Sequence, residues 1–395
     1  VGGLAIGFRS ERSVGLGVDI GSRVVQVAEV QKAGERLELS GIGSFTIAPG
    51  FVERGVVTDP GGMGKGIRDA LAQSKIASRG ATFSVPSHVA VLRWLNLPNL
   101  PDDELREAAK FKVKRHLPFP VADAYIEACP LSGGEGEERE DSEHLVIAVP
   151  RRVIDSRADA LEAAGIEPVR AELEAQAILR IVDARLQRKS PLWSDASLTI
   201  IDIGGTMTHM YVVQSRQLHF MRGVPFGSEM FVRAIADGAG VDADTATAFL
   251  SSEGTSLDES GTLQIRSEGA IASLPLTGEL EKLTREFLRL LRYFRSLHPE
   301  RSYAGILDHV LLCGGMAGLR GLDTYLAAIL GLHVDRMRPL SDMVGSFDPE
   351  SFTAISARQE AFTVVIGLAL SGLSRSGLGE GRKEYSREFV WTRSA

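Results

Sequence analysis

From Val14 to Ile47 the chain alternates short β-branched runs with two polar breaks, Gly21-Ser22 and Lys32-Ala33-Gly34-Glu35. This pattern predicts a strand–turn–strand–turn–strand meander. A helix is expected from about Met63 to Ser74, then a short strand, Ala81 to Val85. The period changes between Leu95 and Pro120. Leu105, Ala109, Val113 and Leu117 recur every fourth residue and predict the apolar stripe of a helix from Pro101 to Leu117. Pro101 suits the first helical position, with Asp102, Asp103 and Glu104 at the positive end of the helix dipole. Lys110, Lys112, Lys114 and Arg115 sit at its negative end, and the residue before Pro118 closes it. Ser132 to Ser142 is acidic and glycine-rich without apolar periodicity, and reads as a mobile loop.

A strand, Leu145 to Val149, and a helix, Val153 to Ala164, follow, with Gly165 in the usual C-terminal cap position. Another helix is expected from Ala171 to Arg188, before a break at Lys189-Ser190-Pro191. The segment Ser197 to Gly227 then repeats the opening pattern: apolar strand, Asp-Ile-Gly turn, second strand, polar turn, third strand. A duplication of this size implies two related α/β lobes. Helices are predicted near Ser228 to Ala236 and Ala243 to Leu250. A long one spans Thr277 to Leu297, with Leu280, Leu283, Phe287, Leu290, Leu291, Phe294 and Leu297 at helical spacing. His309 to Leu322 reads as strand, glycine turn, helix. The last helix is Gln359 to Leu370, and from Ser371 the polar, glycine-rich chain is expected to be a disordered tail.

Composition narrows the function classes. The chain has 395 residues, enough for two cores, and a formal net charge of -7, which disfavours broad attraction to nucleic acid or anionic lipid. Its two cysteines, Cys129 and Cys313, give neither zinc-ligand spacing nor a disulfide framework, so a reducing, cytoplasmic setting is the simplest expectation. No stretch approaches the ~20 apolar residues that cross a bilayer. The eight histidines never form an i, i+4 pair around a glutamate, so a zinc-hydrolase helix is not indicated. His209, His219 and His309 fall in strand patterns and read as packed or edge residues; Cys313 reads as an inert core thiol.

Three glycine turns carry the candidate chemistry. In Asp19-Ile20-Gly21-Ser22 a glycine at a hairpin tip lets backbone N–H groups approach an anion, Ser22 adds a hydroxyl, and Asp19 can hold Mg²⁺ through water. Asp202-Ile203-Gly204-Gly205-Thr206 is the same arrangement in the second half, with Asp202 as the matching carboxylate. Gly314-Gly315-Met316 lies between a buried strand and a helix and suits close contact with a nucleoside. Each alone is commonly a plain turn; two such hairpins heading duplicated halves, followed by the third turn, point to a two-lobed nucleotide cleft.

The order of these turns resembles the actin, Hsp70 and sugar-kinase superfamily, and within it the chain resembles the PilM family of type IV pilus assembly proteins, relatives of FtsA. The resemblance spans about Val14 to Leu370. It is most specific in VPSHVAVLRWLNLPNLPDDELREAAKFKVKRHLPFP, Val85 to Pro120, in the following Tyr125-Ile126-Glu127, and in the runs AELEAQAILR and FMRGVPFG. It implies an α/β, two-lobed, actin-like (duplicated RNase H-like) fold. Residues 1–86, 145–190 and 357–373 would form the first lobe, with a small subdomain, 87–144, inserted in it. Residues 191–233 and 300–356 would form the second lobe, 234–299 its subdomain, and 374–395 the tail. ATP and Mg²⁺ would be bound by Asp19, Gly21, Ser22, Gln26, Asp202, Gly204, Gly205, Thr206, Gly314, Gly315 and Met316. Two departures stand out. Relatives usually place a lysine where this chain has Gln26, and an Ala-Glu-x-x-Lys pattern beside adenosine here reads Ala246-Thr247-Ala248-Phe249-Leu250. Each missing charge-assisted contact is commonly worth ~1.5–3 kcal/mol, so the expectation is either weak nucleotide affinity or a vestigial site.

The resemblance also implies an adaptor at the cytoplasmic face of the inner membrane. It would capture the N-terminal cytoplasmic peptide of PilN between the first lobe and the inserted subdomain, and link it to the pilus assembly ATPase. Trp94, Leu105, Phe111 and Phe119 are the candidate partner contacts, and contact with the membrane runs only through partners. The basic run Lys110 to Arg115 reads either as a solvated helix face or as a rim of that groove. No catalytic residue is assigned, and turnover beyond a weak ATPase is not expected. Two alternatives stay open: a small-molecule kinase, which needs a carboxylate base near the hairpins, and an FtsA-like division scaffold, which would end in an amphipathic helix. Phe389, Val390 and Trp391 are consecutive and form no such face.

Overall fold

The opening meander forms as its alternation predicts. Strands β1 (Ser13–Ile20), β2 (Val24–Ala33) and β3 (Arg36–Thr46) pair antiparallel in sequence order, burying Leu16, Val18, Val25 and Val27. The computed structural model describes residues 13–34, 36–130, 141–189, 197–214, 217–267, 270–297 and 309–373. A short ribbon, β4 (Val52–Glu53) and β5 (Val56–Val57), leads to α1 (Pro60–Gln73), where the Asp59 carboxylate accepts from the Gly62 amide as N-cap. Strand β6 (Gly80–Val85) then joins β1 in parallel.

The inserted unit has its own core. Strands β7 (Val91–Pro98), β8 (Ala124–Pro130) and β9 (Asp141–Pro150) form an antiparallel sheet in the order β7-β9-β8, covered on one face by α2 (Asp102–Val113). Leu105, Ala109 and Val113 pack with Leu97, Ile126 and Val146, so the predicted stripe is real. Its ends differ from expectation. Pro101 is the N-cap, not the first helical residue, and after Val113 the chain makes one 3₁₀ turn, Lys114–His116. Leu117, held extended by the following proline, cannot continue the helix. Asp141 and Ser142, read as loop, are the first residues of β9, which runs on to Pro150; 131–140 lie outside the described residues. The inserted sheet therefore extends past the boundary expected at residue 144.

Next come α3 (Arg151–Ala163), β10 (Glu167–Leu173) and α4 (Glu174–Lys189). The helix expected from Ala171 begins three residues later. Ala171, Glu172 and Leu173 pair with Phe83, Ser84 and Val85, so sheet pairing overrides the local preference of Ala-Glu-Leu for helix.

The second lobe repeats the first. Strands β11 (Ser197–Ile203), β12 (Thr208–Gln214) and β13 (Gln217–Val224) are antiparallel. Helices α5 (Ser228–Ala239) and α6 (Ala243–Ser251) follow, then a small sheet of β14 (Thr255–Leu257), β15 (Thr262–Ser267) and β16 (Ala270–Pro275). Helix α7 (Thr277–Leu297) buries Leu280, Leu283, Phe287, Leu290, Leu291 and Phe294 as spaced, while Leu297 is exposed. Strand β17 (His309–Cys313), α8 (Leu322–Leu330) and β18 (Val334–Arg336) complete the lobe. The helix read after Gly315 starts only at Leu322; turns occupy the gap. The sheet order β13-β12-β11-β17-β18 matches β3-β2-β1-β6-β10, each a meander followed by two parallel strands. This is the duplicated α/β arrangement that the repeated pattern implied.

The chain then returns to the first lobe. Strand β19 (Met343–Gly345) pairs with β3, and Phe352 of α9 (Pro349–Ser356) packs on the first core, so these residues leave the lobe to which 300–356 was assigned. Helix α10 (Thr363–Leu373) is buried against β1 and α4. It continues past Leu370: Ser371 and Leu373 are buried, and the Ser371 hydroxyl donates to Glu172. Arg180 donates to both Glu172 oxygens, at 2.8 and 3.0 Å, and to the Gly367 carbonyl at 2.9 Å, fixing α10 in place. The tail from residue 374 lies outside the described residues. Among the described residues, no helix is long and apolar enough to cross a membrane.

Candidate functional site

Both Asp-Ile-Gly turns are tight hairpins of the same build. The Gly21 amide donates to the Val24 carbonyl and the Gly204 amide to the Met207 carbonyl, each at 3.0 Å. Their tips meet across the lobes. A Cβ on Gly205 would lie 2.9 Å from both the Ser22 hydroxyl and Arg23 Cγ, closer than real Cβ contacts. The second hairpin is anchored from behind: the Ser228 and Glu229 amides at the start of α5 donate to the Gly204 and Gly205 carbonyls, at 2.9 and 3.0 Å. Thr206 sits in the same turn, and Gln26 lies opposite Asp19 in the β1–β2 register.

The third turn joins them at Gly314, whose φ of +88° favours glycine and whose Cβ would fall 2.5 Å from Asp202 Oδ1. Gly315 borders open space. Met316 behaves differently from the reading of the turn as a nucleoside contact: it is 3% exposed and packs in the second-lobe core.

Beneath the hairpins the two lobes share a cluster of acids, Asp202 buried and Asp19 and Glu174 half-buried. Burial first, then neighbouring Glu174, raises the Asp19 carboxyl to about 6, against the opposing pull of Ser84 and Arg157. Asp202 is raised to about 8 by burial, then by Glu174 and Asp19. Arg157 of α3 is fully buried and donates to the Ile20, Ser84 and Gly55 carbonyls at 2.8, 3.2 and 3.1 Å, holding the first hairpin from below. Burial lowers its guanidinium to about 10, with Glu174 and Asp19 acting the other way. Asp19 Oδ1 and Arg157 Nη2 have no hydrogen-bond partner among the described residues.

A second layer ties the cluster to the inserted subdomain. Ser87, where the chain leaves β6 for β7, donates its amide to Glu174 Oε2 at 2.9 Å, and its hydroxyl accepts from the Ala175 amide at 3.2 Å. The fully buried Tyr211 hydroxyl of the second lobe donates to the same Ser87 oxygen at 3.1 Å. His209 stacks between His88 and Tyr211 and is lowered to about 4 by burial, so its imidazole is neutral. Cys313 is a buried free thiol raised well above the usual range, by burial and then by Asp202, which fits the inert reading.

Glu174, half-buried, and the buried Asp202 and His209 each offer a ligand atom within 4.8 Å of the others, a set that could hold a metal ion. Asp19 Oδ1, without a hydrogen-bond partner among the described residues, and the Asp202 carboxylate at the matching strand end are oxygen donors of the type that fits a divalent ion. Asp19 and Asp202 were legible in the sequence. Glu174 was hidden by the misplaced start of α4, and Arg157 and Tyr211 carry no local signal. His209 was read as a packed or edge residue; it is packed, but beside the acids.

The candidate partner residues do not converge. Leu105 is 4% exposed and serves the inserted core, with Phe119 packed against it. Phe111 of α2 is 83% exposed. Trp94 is exposed and pairs with Leu145 on the sheet face that turns its apolar residues towards the first lobe, away from α2. In the basic run Lys110 pairs with Glu107 at 2.6 Å, and Lys112 donates to the Asn96 carbonyl.

Comparison with known proteins agrees with this geometry. A solved structure described as the PilM-PilN type IV pilus biogenesis complex superposes with a TM-score of 0.74 and 25% identity, covering 91% of this chain and 98% of that one. The ethanolamine utilization protein EutJ from Carboxydothermus hydrogenoformans matches at a TM-score of 0.51 and 14% identity, over 90% of this chain and 89% of its own, which shows a shared fold alone. The family model "Type IV pilus assembly protein PilM" matches residues 17–373. The chain therefore belongs to the PilM family of type IV pilus assembly proteins.

Proposed function

We propose that this chain is the adaptor that captures the N-terminal tail of PilN at the cytoplasmic face of the inner membrane and couples it to the pilus assembly motor. The observation that carries the reading is family membership over residues 17–373, including the inserted subdomain between β6 and α3. An extended tail can be held there by apolar anchors and by backbone pairing along an open strand edge. Edges are available at β7 and β8, the outer strands of the inserted sheet.

We further propose that the interlobe cleft takes a nucleotide with a divalent ion. When bound, the ion supplies positive charge that neutralises phosphate and carboxylates together. Asp19 and Asp202 hold it, Gly21, Ser22, Gly205 and Thr206 present the hairpin tips to phosphate, and Arg157 fixes the first hairpin. The contact of Gly205 with Ser22 and Arg23 supports a role in setting lobe closure, because phosphate between the tips must part them. No base is assigned and turnover is not part of the proposal.

The test is co-elution on a sizing column with solubilised PilN, full-length and lacking its cytoplasmic tail. Co-elution with the full-length partner alone supports the reading; equal behaviour of the two contradicts it.

A further inference from the structure

We propose that Arg23, at the tip of the first hairpin, is the phosphate-binding cation of the cleft, taking an oxyanion of a nucleotide where the two tips meet. The inference rests on the reading of the cleft as a nucleotide site and adds to it the side chain that supplies positive charge. Arg23 directly follows Asp19-Ile20-Gly21-Ser22, and the Ile47 amide donates to its carbonyl at 2.9 Å, which fixes its backbone. Its stem lies against the opposite lobe: a Cβ on Gly205 would fall 2.9 Å from Arg23 Cγ and 3.3 Å from Arg23 Cβ. The Ser22 hydroxyl is 2.9 Å from the same point, so hydroxyl and arginine stem flank one place between the tips.

The guanidinium is the observation that points to a ligand. Arg23 is half-buried, and its Nη1 is buried without a hydrogen-bond partner among the described residues. A guanidinium carries five donors and no acceptor, and a buried donor left without an acceptor is costly. Arg157 also has an unpaired Nη2, but it is fully buried beneath the hairpin and already donates to three carbonyls, so its part is to hold backbone. Across residues 19–23 and 202–206 the charged side chains are Asp19, Asp202 and Arg23, so Arg23 is the positive charge of the two tips.

Donor geometry sets the ligand. The planar guanidinium fork matches two oxygens of one phosphate, whereas an ammonium acts as a point charge. Gln26 leaves the strand after this hairpin neutral, and Arg23 restores one positive charge three residues earlier.

The test is calorimetric titration of the full chain with Mg²⁺-ATP. Arg23→Gln should weaken binding by about ten- to a hundredfold, the loss of one charge-assisted contact. Arg23→Lys keeps the charge without the fork and should lose about threefold or more. Arg285→Gln, an exposed change of equal charge on α7, should bind as the unaltered chain does. Without nucleotide, Arg23→Gln should melt no lower than the unaltered chain, because it removes a buried donor that has no acceptor. Should Arg23→Gln fail to fold, Arg23→Lys decides, and affinity equal to that of the unaltered chain overturns the proposal. Equal ATP affinity of Arg23→Gln and the unaltered chain, or an equal loss with Arg285→Gln, overturns it and leaves the nucleotide reading standing. Failure of the unaltered chain to bind ATP overturns both.

Discussion

Asp202 shows how a single residue carries the strain of this site. Its carboxyl is 7% exposed and raised to about 8, so the folded chain holds a proton there that the unfolded chain has released above about 4. Between those values the folded state binds more protons, and stability falls as pH rises. Asp19, raised to about 6, adds to the fall over the lower part of the range. Asp202→Asn removes the Asp202 contribution. In metal-free buffer its stability advantage over the unaltered chain should widen from pH 6 to pH 8, by up to about 2–3 kcal/mol, then level off. Denaturant melts at several pH values check this; a gap that stays constant would contradict it. At this scale the sequence was informative wherever a function is local. Asp19, Gly21, Asp202 and Gly204 are legible because a hairpin is defined by its own four residues. Glu174, His209 and Arg157 gain their roles only when separate segments are folded together, and no spacing rule relates them.

Among elements, α2 separates packing from presentation. Leu105 faces the inserted sheet, and Leu105→Ala should cost about 2–5 kcal/mol of subdomain stability. Phe111, 83% exposed on the same helix, should tolerate Phe111→Ser within about 0.5 kcal/mol. Thermal melts of both variants check the contrast, and a large loss from Phe111→Ser would mean that its ring is covered. The apolar stripe of α2 was visible because helical period is a local property. The start of α4 was not, since Ala171 to Leu173 are held as a strand by pairing with β6, which periodicity cannot register. The same holds for β19, placed against β3 some 300 residues earlier in the chain by register and not by pattern.

At the scale of the molecule, the duplicated halves meet at two hairpins, and a short hydrogen-bonded path leads from their acids to the inserted subdomain. Tyr211 of the second lobe donates to Ser87, and Ser87 donates to Glu174. Tyr211→Phe deletes one link at nearly constant shape and should lower stability by about 0.5–1.5 kcal/mol. It should also loosen protection of the 86–90 segment in hydrogen exchange; unchanged protection would show that Ser87 is held without it. The duplication and the lobe order were readable from the repeated Asp-Ile-Gly meanders. The meeting of the hairpin tips was not, because it depends on how the lobes close.

The central claim is capture of the PilN tail, and its most direct test is calorimetric titration of the purified chain with a synthetic peptide of the PilN N-terminus, with and without Mg²⁺-ATP. One saturable site of micromolar or tighter affinity is expected, with a value that depends on nucleotide. Absence of binding under both conditions would contradict the adaptor reading, and binding indifferent to nucleotide would remove the cleft from it.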